Sequence, residues 1–145
     1  ELRFHDGRLW QTPARELAAL REDEQHWQGR ASDAPELDAT RLEFELSASQ
    51  VNVDFGGALR LTVDEQGIRL ERASLKTGET LTRYWRGDVT HLRVLCDRSS
   101  VEIFINHGEG VMSSRYFPDH PARVRFEGAS DITLRYWSLR ACMIE

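Results

Sequence analysis

The stretch that decides the fold lies at residues 92–105 and reads LRVLCDRSSVEIFI. Apolar residues occupy every second position of its two halves, namely Leu92, Val94 and Cys96, then Val101, Ile103 and Ile105. Strict alternation of this kind is typical of a strand that buries one face. Between the two halves, the polar run at 97–100 carries residue types that favour turns. The stretch therefore predicts two antiparallel strands joined by a tight turn.

The same alternation recurs on both sides of this stretch. Its apolar positions are Leu42, Phe44 and Leu46; Leu59, Leu61 and Val63; Ile68 and Leu70; Val124 and Phe126; and Ile132, Leu134 and Tyr136. Short strands separated by Gly- and Asp-containing turns indicate an antiparallel β-sandwich or barrel. A parallel sheet would show near-continuous apolar strands with helices between them, and neither is present. The length of 145 residues suits one domain of this all-β class.

The chain divides by pattern into residues 1–35 and residues 36–145, of which the second part carries the β-sandwich. The first part opens with two short alternating segments at 2–11, interrupted by Asp6-Gly7. An Asp-Gly pair between such segments favours a two-residue hairpin turn. The N-terminal segment is therefore predicted to begin as a β-hairpin.

A short helix is predicted to follow this hairpin. Thr12 has the side chain of an N-cap, and Pro13 suits the first helical position. Good helix formers continue from there, and we expect the helix to end near 22–24. The polar composition of residues 25–35, with its Gly and Pro, predicts a linker or surface loop.

The composition argues against several classes of partner. Twenty-four acidic residues against nineteen basic ones give a net charge of −5, which disfavours nucleic-acid binding. The apolar runs are far too short for a membrane span, and the first residues lack the basic and apolar regions of a secretory signal. The two cysteines cannot form a disulfide framework. For Cys96, at the end of an apolar run, we predict a free, buried thiol, and Cys142 lies near the end of the chain.

The sequence predicts no catalytic residue, metal site or cofactor. Its five histidines lack metal-ligand spacing, and it contains no phosphate-binding loop and no nucleophile elbow. Asp97 and Glu102 flank one turn and are the carboxylates best placed to converge as an acid pair. Nothing around them predicts the apolar pocket that raises the pKa of a general acid. Surface carboxylates are the simpler interpretation.

Aromatic residues leave two interpretations open, a sugar-stacking platform or packing in the core and at interfaces. The residues concerned are Trp10, Trp27, Trp85 and Trp137 with Tyr84, Tyr116 and Tyr136. Tyr84 and Trp85 are adjacent in a predicted strand, so one of the two rings must point away from the core. These two residues are the candidate ligand-binding residues of the chain.

Longer motifs give the sequence a specific resemblance. Residues 97–109 follow the pattern Asp-x-Ser-Ser-x-Glu-x-Phe-x-Asn-x-Gly-Glu, and residues 114–118 follow Ser-Arg-Tyr-x-Pro. These motifs resemble the C-terminal β-sandwich of glycoside hydrolase family 32, which includes invertases and bacterial sucrose-6-phosphate hydrolases. The segment at 9–21 is similar to the family's junction between catalytic domain and sandwich, and the segment at 132–139 is similar to its last strand.

The resemblance implies a jelly-roll or concanavalin-like sandwich without catalytic residues of its own. Catalysis in this family belongs to a five-bladed propeller with Asn-Asp-Pro, Arg-Asp-Pro and Glu-Cys motifs, none of which occurs in these 145 residues. We therefore expect a non-catalytic domain of a β-fructofuranosidase that acts on sucrose or sucrose-6-phosphate in a bacterial cytoplasm. Its expected partner is the propeller, and homo-oligomerisation is a second expected role. The alternative is an autonomous carbohydrate-binding module.

Two further expectations concern the residues of the shared motif and the docking of the domain. Within the shared motif, Asp97 and Ser99 are expected to hydrogen-bond turn amides, and Glu102 is expected to pair with Arg115 across a hairpin. A domain that packs against a propeller also needs an apolar docking face. The candidates for that face are Trp10, Leu17 and Leu20, with whichever of Tyr84 and Trp85 points outward.

Overall fold

The computed structural model describes residues 2–5, 7–11, 15–73, 77–116 and 123–140. Their strands, in chain order, are β1 (Leu2–His5), β2 (Arg8–Gln11), β3 (Arg21–Arg30), β4 (Leu37–Asp38), β5 (Leu42–Ser47), β6 (Val51–Phe55), β7 (Leu59–Asp64), β8 (Gly67–Ala73), β9 (Thr80–Arg86), β10 (Leu92–Cys96), β11 (Ser100–Ile105), β12 (Gly110–Arg115), β13 (Arg123–Glu127) and β14 (Asp131–Leu139). Strands β1 and β2 pair with each other as a separate hairpin. The other strands form two six-stranded antiparallel sheets, ordered β12-β11-β10-β5-β14-β3 and β4-β13-β6-β7-β8-β9.

The stretch at 92–105 forms the predicted pair of strands within the first sheet. Strand β10 pairs with β11, so that Val94 lies opposite Ile103, and its other edge pairs with β5, so that Val94 also lies opposite Phe44. All three side chains are buried. The alternation in the sequence therefore identified both the strands and their inward faces.

The core lies between the two sheets and is made by inward-facing side chains from both. The rings of Phe44 on β5 and Phe126 on β13 meet edge to face, with centroids 5.5 Å apart and an interplanar angle of 84°. Such pairs add to the stabilisation that burial alone provides. Cys96 is a free, buried thiol, as predicted, and burial raises its pKa. Cys142 lies outside the described residues.

Two tryptophans close open sides of the sandwich. The ring of Trp27 on β3 lies over Gly29, and the ring of Trp85 on β9 lies over Gly87. Trp85 also reaches the opposite sheet, where a Cβ added at Gly110 would lie 2.3 Å from its Nε1 atom. Glycine at that position therefore lets the indole ring seat against β12, and Trp85 is a packing residue.

The segment that leads into the sandwich differs in part from its prediction. A short helix is present at Arg15–Leu20, but it is a 3-10 helix and ends before the expected point, while Thr12 and Pro13 lie outside the described residues. The linker predicted for residues 25–35 is wrong over residues 25–30. These residues complete β3, which pairs antiparallel with β14. An edge strand is held by its backbone hydrogen bonds, so it does not need the apolar alternation of an inner strand.

Candidate functional site

The carboxylates considered for catalysis have structural roles or none. Asp97 accepts hydrogen bonds from the backbone N–H groups of Ser99 and Ser100, at 2.9 and 2.8 Å. This confirms its expected role in the turn. Glu102 is exposed and lies opposite Ser113, and no ion pair joins it to Arg115 in the described part of the chain. The register pairs Arg115 with Ser100 instead, so the predicted Glu102–Arg115 pair is wrong.

A buried carboxylate that sequence reasoning missed lies on the outer face of the first sheet. Glu43 on β5 is fully buried. Arg21 donates from Nε to its Oε1 atom at 2.8 Å and from Nη2 to Oε2 at 2.6 Å, and Arg93 donates from Nε to Oε2 at 2.6 Å. A buried carboxylate is tolerated only when charged hydrogen bonds satisfy it, and these three bonds do so. We call Glu43, Arg21 and Arg93 the arginine clamp.

The arginine clamp continues into a second cluster on the same face. The guanidinium of Arg21 lies 4.0 Å from the centre of the Trp137 ring, which itself is buried opposite Glu43. The Nε1 atom of Trp137 donates to Glu24 at 2.9 Å, and Arg135 donates to the same carboxylate at 2.7 Å. The hydrogen bond from Arg135, helped by those from His26 and Trp137, lowers the pKa of Glu24 to about 2. Strands β3, β5, β10 and β14 are thereby joined across the sheet.

The turn between β11 and β12 connects this sheet to the N-terminal hairpin. The side-chain oxygen of Asn106 accepts from the backbone N–H of Thr90 at 2.8 Å, and its amide donates to the Asp88 carbonyl at 2.6 Å. The turn is thus fixed to the loop before β10. On its other side, the carbonyl of Gly108 accepts from the backbone N–H of Gln11 at 3.0 Å, at the end of β2. The predicted turn at 106–109 is confirmed, and it is where the hairpin is attached.

Two histidine rings lie beside this attachment point. His91 and His107 stack with their centroids 4.0 Å apart and their planes 14° from parallel. Burial lowers the pKa of His91, and the neighbouring His107 lowers it further. Both effects favour the neutral form of His91, and the stacked rings make a packing contact. No group of His, Cys, Asp and Glu within the described ranges is arranged to hold a metal ion.

The hairpin itself presents an apolar face that the sandwich does not cover. Phe4 on β1 lies opposite Leu9 on β2, and Leu2 is on the same face as Phe4. The exposed fractions of Leu2, Phe4 and Leu9 are 67%, 78% and 52%. Trp10 and Leu20, which we had expected in a docking face, are less exposed than these three residues and are half-buried. The Leu17 side chain lies outside the described residues.

The register of the second sheet separates the two candidate ligand-binding residues. Trp85 lies opposite Ile68, whose side chain is buried, and Tyr84 lies opposite Arg69 on the outer face. Tyr84 is therefore the ring that points outward, with 60% of its surface exposed. The guanidinium of Arg86 lies 5.3 Å from the centre of this ring. Of the two candidates, Tyr84 is the more exposed, since Trp85 is partly buried.

None of the helices in the described parts of the chain is long and apolar enough to cross a membrane.

Comparison with known proteins identifies relatives of this chain. Sucrose-6-phosphate hydrolase of Klebsiella pneumoniae is 49% identical over 146 residues, and that of Salmonella typhimurium is 48% identical over 148. Each alignment covers 100% of this chain and 31% of the relative, so the chain spans about a third of the length of these proteins.

Solved structures show the same fold. The sucrose-6-phosphate hydrolase from Lactobacillus gasseri superimposes with a TM-score of 0.75 and 22% identity, covering 96% of this chain and 32% of that one. A GH32 β-fructofuranosidase of Bombyx mori gives a TM-score of 0.72 at 23% identity, with the same coverage. The family model described as "Glycosyl hydrolases family 32 C terminal" matches residues 30–138. That match spans most of the sandwich, and the chain belongs to the family of C-terminal domains of family 32 glycosyl hydrolases.

Proposed function

We propose that this chain is the non-catalytic C-terminal domain of a sucrose-6-phosphate hydrolase that acts in the bacterial cytoplasm, and that its hairpin docks it to a catalytic propeller. The observation that carries the proposal is the exposed apolar face of Leu2, Phe4 and Leu9. A two-stranded hairpin is at most marginally stable alone in water. An apolar face on such a hairpin therefore needs a partner surface, and the proposed surface is that of the catalytic domain.

The extent of the two kinds of match supports this assignment. The C-terminal family model begins at residue 30, whereas the relatives from Klebsiella and Salmonella align over the whole chain. The hairpin is thus shared with full-length hydrolases but lies outside the match to the sandwich family. The sequence pattern predicted the boundary between junction and sandwich between residues 35 and 36. In this proposal the sandwich instead begins at Arg21, the first residue of β3.

The sandwich holds the junction by several directional contacts. Besides the Gln11–Gly108 hydrogen bond, Arg140 donates from its backbone N–H to the Leu20 carbonyl at 2.9 Å. The Arg140 side chain donates to the carbonyl of Ala19 at 2.5 Å. The arginine clamp then fixes Arg21, the first residue of β3. Such contacts suit a domain that holds its partner in a defined orientation, which is the supporting role proposed here.

The isolated 145-residue chain is expected not to hydrolyse sucrose or sucrose-6-phosphate. The three motifs to which the family's catalysis was assigned above, Asn-Asp-Pro, Arg-Asp-Pro and Glu-Cys, do not occur in these 145 residues. Release of reducing sugar from each substrate would be measured at high protein concentration. Asp97→Asn and Glu102→Gln variants serve as controls for contaminating enzyme. Turnover that purifies with the chain and disappears in either variant would contradict a non-catalytic role.

A chimera tests the docking role of the hairpin. The chain would replace the matching C-terminal third of the Klebsiella hydrolase, to which it is 49% identical. We expect the chimera to hydrolyse sucrose-6-phosphate and to unfold in one thermal transition. Introducing Phe4→Asp with Leu9→Asp should destabilise it by about 3 kcal/mol or more, because burying either side chain contributes about 1.5–3 kcal/mol.

The matched control for this chimera is Leu81→Asp, on the exposed strand β9. Leu81 is 45% exposed, similar to Leu9 at 52%, but it lies in the sheet that does not carry the turn to which the hairpin is attached. This substitution should leave the thermal midpoint and activity of the chimera near those of the unmodified form. Equal behaviour of this control and the hairpin double variant would show that the hairpin face is solvent-exposed in the assembled enzyme.

A further inference from the structure

A depression of about 250 Å³ lies on the outer face of the second sheet, whereas the arginine clamp lies on the first sheet. It is formed where the turn between β7 and β8 meets the end of β9, and its lining includes Asp64, Gln66, Gly67, Arg69, Tyr84 and Arg86. This surface shares no residue with the exposed apolar face of the hairpin. It combines one exposed aromatic ring with several long polar side chains.

The aromatic ring in this depression is oriented by the strand register. Because Trp85 packs inward against Gly87 and Gly110, Tyr84 must project outward beside Arg69. Its ring carries partial negative charge on its face, which attracts the polarised C–H groups of a sugar ring, and its hydroxyl can hydrogen-bond at the edge. Arg86 stands over the ring and supplies guanidinium donors next to it.

The polar groups around Tyr84 can both donate hydrogen bonds to the hydroxyl groups of a ligand and accept hydrogen bonds from them. One oxygen of Asp64 accepts from the backbone N–H of Gln66 at 2.8 Å, which leaves the second oxygen on the carboxylate as an acceptor. Arg69 uses Nε to bind Glu71 at 2.7 Å, and its terminal nitrogens remain as donors. The Gln66 amide offers both a donor and an acceptor. A ligand with several hydroxyls finds partners of both kinds here.

Charge balance selects the class of ligand. Arg69 is already paired with Glu71, which lies outside the lining, and the remaining charged lining residues are one base, Arg86, and one acid, Asp64, so the cations are offset by an equal number of anions. A free phosphate binds best where cations are in excess. A neutral polyhydroxyl ligand is not penalised by this balance. The lining therefore favours an uncharged sugar over an anion.

The floor of the depression is closely packed. A Cβ added at Gly67 would lie 2.0 Å from the backbone oxygen of Trp85, so only glycine allows β8 and β9 to approach this closely. The backbone N–H of Gly87 donates to the Gln66 carbonyl at 3.2 Å and fixes the turn to the end of β9. A site formed before the ligand arrives loses less conformational entropy on binding. The geometry points to a carbohydrate-binding site at this position, in which Tyr84 stacks on a neutral oligosaccharide while Arg86, Arg69 and Gln66 bind its hydroxyls.

The test is an NMR titration of the 145-residue chain with sucrose and with 1-kestose. We expect saturable shifts of backbone amides confined to residues 64–69 and 84–87. Tyr84→Ala should weaken binding about tenfold, whereas Tyr84→Phe should keep most of it because the ring remains. Leu81→Ala is the matched control on the same strand, since Leu81 is exposed but does not line the depression. It should bind as the unmodified chain does.

Several outcomes would overturn the proposal. The site is absent if neither sugar gives saturable shifts, or if the shifts map elsewhere or persist unchanged in Tyr84→Ala. Inorganic phosphate is titrated separately, and equal shifts from phosphate alone would indicate an anion site instead. Shifts at Tyr84 that depend on protein concentration without sugar would indicate a contact between copies of the chain. Because this titration does not involve a catalytic domain, its failure leaves the docking proposal untouched.

Discussion

Replacing Ile103 with alanine is expected to lower the free energy of unfolding by about 2–5 kcal/mol. Ile103 is fully buried on the inner face of β11, the second strand from one edge of the first sheet, between Val94 on β10 and Met112 on β12. The substitution removes apolar surface that had been withdrawn from water. It also leaves a cavity, because neighbours held in a β-ladder on both sides cannot collapse into the space. A site so enclosed should show a cost in the upper part of that range.

Urea denaturation followed by circular dichroism measures this effect, and two variants serve as controls. Glu102→Ala changes the next residue on the same strand, which is exposed, and Arg98→Ala changes an exposed residue of the adjoining turn. Both should stay within about 0.5 kcal/mol of the unmodified chain. If all three variants had the same urea midpoint, the inward phase assigned to β11 would be wrong.

Inner strands could be predicted because the burial of one face leaves a pattern within a short stretch of sequence. Each inner strand must bury one face, so the apolar residue recurs at every second position whatever its partners are. Leu42, Leu61 and Val94 all follow this rule, and all are buried. The rule assigns a residue to a face without any knowledge of topology.

The edge strand β3 could not be recognised in the same way. Only Trp27 and Gly29 are partly buried among residues 22–30, and the rest of this segment is charged or polar and exposed. Its stability comes from backbone hydrogen bonds to β14, more than a hundred residues later in the chain. Backbone pairing is independent of side-chain type, so a polar edge strand and a polar loop have the same composition.

Side-chain contacts between strands depend on the register of pairing, which the sequence alone did not reveal. The adjacency of Tyr84 and Trp85 required that one ring point outward, but the choice of Tyr84 needed the pairing of β9 with β8. The Glu102–Arg115 pair failed for the same reason, since the register places Ser113 opposite Glu102. A change of one residue in the register of pairing turns every side chain of a strand to the opposite face. The length of a turn in the sequence does not fix this register.

Burial of Glu43 is the feature least accessible from sequence. It occupies an outward position between the buried residues Leu42 and Phe44, where a charged residue is usually solvated. Its partners, Arg21 and Arg93, are 22 and 50 residues away in the chain. Arg21 reaches it from β3 across β14, over the ring of Trp137. Only the order of strands in the sheet brings these three side chains together.

Replacing Glu43 with glutamine is expected to lower the free energy of unfolding by about 3–5 kcal/mol. The amide keeps the shape of the side chain but removes the charge that holds two guanidinium groups. Its NH₂ group would also face arginine donors, because both carboxylate oxygens now accept at 2.6–2.8 Å. Arg21 and Arg93, which are themselves mostly buried, would then be left without a counter-charge.

The matched control is Glu127→Gln, which breaks the ion pair of Arg60 and Glu127. That pair has an N–O distance of 3.0 Å, but each side chain is 48% exposed, so its loss should cost less than about 1 kcal/mol. A triple variant, Glu43→Leu with Arg21→Met and Arg93→Met, removes all the charges of the arginine clamp together. It should recover most of the stability lost in Glu43→Gln, because a well-packed apolar replacement avoids the cost of desolvating charges.

These three variants distinguish two roles of the arginine clamp, which are to stabilise the domain and to position β3. If Glu43→Gln is destabilising and the triple variant is stable, the clamp contributes little net stability and its value lies in fixing where β3 begins. Orientation can then be read in the chimera with the Klebsiella hydrolase. There the triple variant should fold but lose the single cooperative transition, because Arg21 no longer ties the junction to β5 and β10. A triple variant that keeps both stability and one transition would show that the remaining contacts of Gln11 and Arg140 hold the junction on their own.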